Sequence, residues 1–226
     1  SFGVYPTLEL IEYRPDQVHG VLLHSKGSKN EGIKRIRQRC KKHQIEILEN
    51  DRLLEKLADR GNTYAIGVFN KYPSQLSQID NHIVLVNPSS MGNLGTIIRS
   101  MTGFGYTDLG IIDPAAEHFD PRVIRASMGA IFQCRVQRFR SFQDYQETNN
   151  KHQFYSLMTN GKNTLPEVKF QSPHTMIFGS EASGLSDEFL GIGTSIRIPQ
   201  NEQIDSINLA LSVGITMYHH WINQHQ

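Results

Sequence analysis

Polar side chains set just past apolar runs mark four stretches of this chain where chemistry could be done. Residues 92–99 contain Asn93, Gly95 and Arg99. Residues 125–130 read Arg-Ala-Ser-Met-Gly-Ala. Residues 178–185 read Phe-Gly-Ser-Glu-Ala-Ser-Gly-Leu and contain Glu181. Ile198-Pro199 runs on to Asp205-Ser206-Ile207-Asn208-Leu209-Ala210. An arginine offers a rigid fork of donors to a phosphate or a developing oxyanion. A carboxylate and two asparagines can orient a hydroxyl and a cation, and glycines let backbone approach a ligand closely. Structural glycines and turn prolines could explain parts of each stretch, but not Asn93, Arg99, Glu181, Ser206 and Asn208 together.

Other chemistries fail on spacing. Gly179 and Gly184 have the outer spacing of a phosphate-binding loop, but Leu185-Ser186 stands where a lysine is needed. Ser183 lies in Glu-Ala-Ser-Gly-Leu, not in the Gly-x-Ser-x-Gly of a hydrolase nucleophile. Gly103-Phe104-Gly105 lacks the third glycine of a dinucleotide fingerprint, and no His-Glu-x-x-His pair occurs. His219-His220 reads as surface or interface, and no metal is called for.

The elements that must position these stretches alternate between strand-like and helix-like runs. Strands are expected at 18–23, 45–48 and 64–69. Helices are expected at 32–43 and at 52–58, the latter capped by Asn50 or Asp51. Together they make a small αβ sandwich over residues 1–72. A polar stretch at 73–81 reads as a linker. A second series fills 82–226. Its strands are expected at 83–86, 109–112, 131–136, 154–158, 175–178 and 195–198. Its helices are expected at 93–104, 122–128 and 206–221, the last with Leu209, Val213, Met217 and Trp221 on one stripe. This pattern predicts an α/β domain with a mainly parallel sheet. Open α/β sheets bind ligands beyond the carboxyl ends of their strands, and three of the four stretches follow strands.

Composition adds bounds. A chain of 226 residues holds one large domain or two small ones. Cys40 and Cys134 are its only cysteines and have no metal or redox spacing, which predicts reduced thiols. No leader and no bilayer-length apolar run is evident, so no membrane partner and a cytoplasmic location are expected. The net charge of +1 is uninformative, but Lys26, Lys29, Lys34, Arg35, Arg37, Arg39, Lys41 and Lys42 share a stretch whose only acid is Glu31. Such a run is either a solvated helix face or a phosphate-binding surface.

Taken in order, the four stretches resemble the motifs of the SpoU (TrmH-like) RNA ribose 2′-O-methyltransferases of the SPOUT superfamily, from about Ile83 to Trp221. Asn93, Gly95 and Arg99 match the first motif. Arg125 to Gly129 match Arg-x-Ser-Met-Gly. Gly179, Glu181, Gly184 and Leu185 match the third, and Ile198-Pro199 with Ser206 to Leu209 match the last. The departures are Asn87-Pro88-Ser89-Ser90-Met91-Gly92 where the family has an Asp-Pro turn, Ile207 for leucine and Leu209 for valine. The resemblance implies a parallel sheet tied into a deep trefoil knot. It also implies S-adenosylmethionine held by Thr159, Gly179, Ile198, Ile207 and Leu209, with Ile198 and Ile207 flanking the adenine. Catalysis would rest on Arg99, with Asn93 and Asn208 orienting the ribose, Glu181 pairing with Arg99 or a partner cation, and Ser206 hydrogen-bonded within its loop. RNA and a second copy of the chain are the implied partners. The N-terminal part resembles, more weakly, the ribosomal-protein-like substrate-binding domains of such enzymes, with residues 5–10 opening the first helix. That favours 23S ribosomal RNA over transfer RNA. A non-catalytic RNA-binding or assembly factor on the same fold stays open as the alternative.

Overall fold

The computed structural model describes every residue except Asp59, Arg60, Glu202 and Gln226. The first helix, α1 (Val4–Tyr13), leads into β1 (Val18–Leu23), α2 (Glu31–His43), β2 (Ile47–Glu49), α3 (Asp51–Leu57) and β3 (Ala65–Phe69). The three strands form one sheet in the order β2-β1-β3, with β1 parallel to β2 and antiparallel to β3. Ile33, Ile36 and Cys40 of α2 pack with Ile11 of α1 and with Val21, Leu23 and Ala65 of the sheet. Leu54 of α3 packs on the other face with Leu22 and Ile66. Asn50 caps α3 by accepting from the Leu53 amide.

The remaining elements are β4 (His82–Val86), α4 (Met91–Gly103), β5 (Asp108–Ile112), α5 (Pro121–Ala126), β6 (Arg135–Phe139), α6 (Phe142–Thr148), β7 (Gln153–Leu157), β8 (Asn163–Thr164), β9 (His174–Phe178), β10 (Thr194–Arg197) and α7 (Leu209–Gln224). The strands form one sheet, every pair parallel, in the order β6-β5-β4-β9-β7-β10-β8. Ile97 and Ile98 of α4, Val123 of α5, and Val213 and Met217 of α7 share one core with Ile83 and Leu85. On the other face Tyr145 of α6 and Phe189 cover Val84 and Ile177. The sheet is covered on both sides, as its unbroken apolar strands require.

The two sheets are joined by more than the segment between them. Leu10 of α1 is buried in the large core, whereas Leu8 and Ile11 of the same helix are buried in the small one. Glu9 accepts from Gln133 at 2.6 Å, and the Arg14 guanidinium lies 5.1 Å from the Tyr72 ring centre. Residues 73–81 hold no helix or strand, but Leu76 is buried and the Ser77 amide donates to Asp108 Oδ1 at 2.8 Å.

Two of the expected elements differ from the sequence expectation, and α6 and β8 were not expected. The apolar run at 131–136 is not a strand throughout: Ala130–Gln133 is a buried 3₁₀ turn and β6 begins at Arg135. Buried apolar runs carry no period to separate the two states. The closing helix starts at Leu209 rather than 206, because the Asn208 side chain caps it by accepting from the Ala210 and Leu211 amides. Its buried stripe passes through His220, which is 6% exposed, and leaves Trp221 38% exposed. His220 is therefore not a surface residue; its Nδ1 pairs with the Tyr106 hydroxyl at 2.7 Å.

Candidate active site

At the centre of the large sheet, β4 has β5 on one side and β9 on the other, so the chain after β4 and the chain after β9 leave the same edge in neighbouring positions. This is the kind of switch point at which such sheets bind ligands. The loop after β4 carries Asn87 to Ser90 and enters α4, where Ser90 caps the helix by accepting from the Asn93 amide. The loop after β9 carries Glu181.

Glu181 fills the junction between them. Its Oε2 accepts from the Ser89 amide and the Ser89 hydroxyl, each at 3.0 Å. Its Oε1 accepts from the Ser90 amide and from Asn93 Nδ2, each at 3.1 Å. Four donors occupy the four acceptor positions of the carboxylate. Burial opposes its ionisation, but the hydrogen bonds from Ser89 and Asn93 outweigh that and pull its pKa down to about 2. Glu181 is thus a fixed anion with no free lone pair, and it makes a poor base. The expected pairing of Glu181 with Arg99 or another cation is not seen: no cation reaches it among the described residues, because the start of α4 supplies the positive partners instead.

The chain of bonds continues to the last helix. Because Asn93 donates to Glu181, its Oδ1 faces Asn208, which donates to it from Nδ2 at 3.3 Å. Asn208 Oδ1 is taken by the two α7 amides. Each amide orientation is fixed by its partner, and Asn208 is left able only to donate to a ligand.

Beside this chain lies a cavity of about 590 Å³, within the range of small-molecule sites. Thr159, Gly179, Ile198, Ile207 and Leu209 all line it, and so do Asn93, Glu181, Ser206 and Asn208. Leu157, Ile196, Ile198, Ile207 and Leu209 give it an apolar wall. Glu181, Asp187 and Asp205 are its charged groups, and no Lys, Arg or His lines it among the described residues. Ser206 makes no side-chain hydrogen bond among the described residues, contrary to expectation; Gln200 closes the loop instead by donating to the Ile204 and Asp205 carbonyls, each at 3.2 Å.

The role expected for glycine at Gly179 also changes. A Cβ there would stand 2.0 Å from the Gly184 carbonyl carbon and 2.3 Å from the Leu185 amide nitrogen. The backbone that approaches Gly179 is that of its own loop, so the residue shapes the cavity wall rather than leaving room for a ligand directly. Gly95 serves a helix contact, since a Cβ there would meet the Ala126 Cβ at 2.4 Å.

Two expected features lie outside the cavity. Arg99 is exposed on α4, six residues past Asn93, and does not line it. Arg125 to Ala130 close α5 against α4 and α1: Ser127 is buried and donates to the Ile124 carbonyl, and Gly129 lies against Pro6 and Glu9. Ser89 and Ser90, which complete the Glu181 site, read in the sequence only as turn residues. The N-cap position of Ser90, three residues before Asn93, was the available signal.

A profile of the SpoU rRNA Methylase family matches residues 80–218. An uncharacterized tRNA/rRNA methyltransferase of Synechocystis is 32% identical over 139 residues, which are 60% of this chain and 51% of that protein. The chain therefore spans about half the length of that curated relative. The tRNA (cytidine(34)-2′-O)-methyltransferase of Aeromonas hydrophila is 32% identical over 143 residues, which are 62% of this chain and 91% of that protein. Among solved structures, the AdoMet-bound rRNA methyltransferase from Sinorhizobium meliloti superposes on 99% of this chain and 86% of its own with a TM-score of 0.82, at 19% identity, and so shares the fold.

Proposed function

The chain belongs to the SpoU rRNA methylase family, and from that premise we propose that it transfers a methyl group from S-adenosylmethionine to a ribose 2′-hydroxyl of RNA. The observation that carries this is the acid-lined cavity beside the Glu181–Asn93–Asn208 chain. S-adenosylmethionine carries an apolar-faced base, a sulfonium, an ammonium and a carboxylate, so that its charge is positive on balance. A cavity with an apolar wall, three carboxylates and no lining cation suits it and disfavours a nucleotide phosphate. Ile198 and Ile207 would hold the adenine, and the Thr159 and Gly179 loops would hold the rest. When bound, the cofactor supplies an electrophilic methyl.

The protein's own part is to orient the acceptor ribose and to ease loss of its proton. Asn93 and Asn208 present donors to ribose or phosphate oxygens at the cavity edge. Glu181, saturated and ionised, holds the two amides in place. Arg99 stands about 9 Å further along α4, from the helical rise. It meets the RNA from the solvent side, gripping a neighbouring phosphate and stabilising the developing alkoxide; a guanidinium is too weakly acidic to serve as the base.

Residues 1–72 serve as the RNA-binding unit, and 23S ribosomal RNA is the preferred substrate over transfer RNA. In support, the aligned region makes up 91% of the tRNA enzyme from Aeromonas, which leaves little of that protein to correspond to residues 1–72. A trefoil knot around the cavity, a homodimer and a cytoplasmic setting belong to the same reading. The dimer would form on α7, where Leu211, Ile215 and Tyr218 are exposed beside α4 and line a groove of about 480 Å³. Calorimetry with S-adenosylmethionine, followed by transfer of its labelled methyl to ribosomal RNA, tests the proposal. Binding near one ligand per chain and label in RNA are expected. A folded protein that binds no cofactor would refute it.

A further inference from the structure

Of the donors on Glu181, two are backbone amides that any residue but proline would supply at positions 89 and 90, and one is the Asn93 amide that Glu181 itself orients. The fourth is the Ser89 hydroxyl, 3.0 Å from Oε2. It is the one donor on Oε2 that depends on the residue type. Because both Oε2 donors come from Ser89, losing the hydroxyl leaves that oxygen a single partner and loosens the carboxylate against rotation. Rotation would release Asn93 Nδ2 from Oε1, and then Asn93 Oδ1 from Asn208. The hydroxyl stands outside the cavity lining, so it does not itself meet a ligand there.

We propose that Ser89 is a positioning residue for methyl transfer: its hydroxyl fixes the Glu181 carboxylate, which sets the donor directions of Asn93 and Asn208 at the cavity edge. The proposal rests on the functional reading above, but its geometric half can be tested without turnover. A carboxylate held by four donors is rigid; one held by three, at an exposed edge where water competes, is less so.

The test uses the full chain with asparagine labelled in its side-chain amides, as wild type, Ser89→Ala and Ser89→Thr. In the wild type the two Asn93 amide protons should resonate apart from those of free asparagine and exchange slowly with water. Ser89→Ala should collapse them toward the free values, and Ser89→Thr should restore them. With labelled S-adenosylmethionine and 23S ribosomal RNA transcribed in vitro, Ser89→Ala should lower kcat about tenfold, the low end for a hydrogen bond to a charged group. The KM for S-adenosylmethionine should stay within about twofold, because the cavity wall is untouched, and Ser89→Thr should recover kcat. Unchanged Asn93 signals in Ser89→Ala overturn the proposal, and so does a shifted signal with unchanged kcat. If the wild type transfers no methyl, the functional reading fails, while the Asn93 signals still decide whether Ser89 holds the network.

Discussion

Arg99 and Glu181 stand in different surroundings, in a way their residue types alone do not reveal. Both are charged and both lie in motif stretches, which made an ion pair between them a natural expectation. The structure instead saturates Glu181 with the Ser89, Ser90 and Asn93 donors and leaves Arg99 exposed on α4. A carboxylate with filled lone pairs is a positioning group, and an exposed guanidinium is available to RNA. Arg99→Ala should therefore cost roughly a hundredfold or more in kcat, the scale of losing a donor to a developing oxyanion. Its affinity for S-adenosylmethionine, read by calorimetry, should be unchanged. Arg99→Lys should recover little, since a point charge lacks the fork. Asn93, Glu181, Ser206 and Asn208 were legible because polar residues past apolar strands have few structural reasons to be there, whereas Thr159, Ile198, Ile207 and Leu209 came from the family resemblance. Their partners were not legible. Which donor saturates Glu181 depends on loops brought together from positions about ninety residues apart in sequence, and which backbone crowds Gly179 depends on how its own loop folds back at Gly184 and Leu185.

At the scale of elements, α2 shows how a charge run must be discounted once its neighbours are known. Lys34 pairs with Glu31, Arg37 with Glu49, and Arg39 with Glu12. Arg35, Lys41 and Lys42 remain exposed with no ion pair among the described residues. Reversing these three to glutamate should weaken RNA binding and flatten the plot of log affinity against log salt by about two to three in slope, through lost counterion release. Cofactor binding should not change; an unaltered salt slope would make α2 a solvated face only. On α7, Ile215→Asp should convert the proposed dimer to a monomer in light scattering, because it puts a charge into an apolar groove; a wild type that is already monomeric would refute the dimer. The strands and most helices were readable from their periods. The 3₁₀ turn at Ala130–Gln133 and the late start of α7 were not, since the first is a short apolar run and the second is decided by a cap on a polar stretch.

Across the whole molecule, the two ends of the large sheet do different things. The carboxyl ends carry the site, while His82, His152, His174 and His220 are buried toward the amino ends of β4, β7 and β9 and on α7. His82 contacts Tyr145 and the Ser77 carbonyl, His152 contacts Thr175, and His174 and His220 share the Tyr106 hydroxyl. Burial, reinforced by neighbouring imidazoles, pushes His82 down to about 4 and His174 to about 3, below the ordinary 6.5. The unfolded chain then binds more protons than the folded one between about pH 6.5 and pH 4. Stability should be full above pH 6.5 and fall as pH drops through that window. Thermal melts between pH 8 and pH 4 should show this, and His174→Asn should flatten the decline; a melting temperature that is level across the window would refute it. The central claim, methyl transfer to a ribose hydroxyl, is tested most directly by mapping 2′-O-methylation, read as resistance to alkaline cleavage, on ribosomal and transfer RNA incubated with S-adenosylmethionine and the protein. The expected result is a new protected position in 23S ribosomal RNA that is absent with Arg99→Ala. A folded, cofactor-binding protein that protects no nucleotide in either RNA would contradict it and leave an RNA-binding factor on an enzyme's fold.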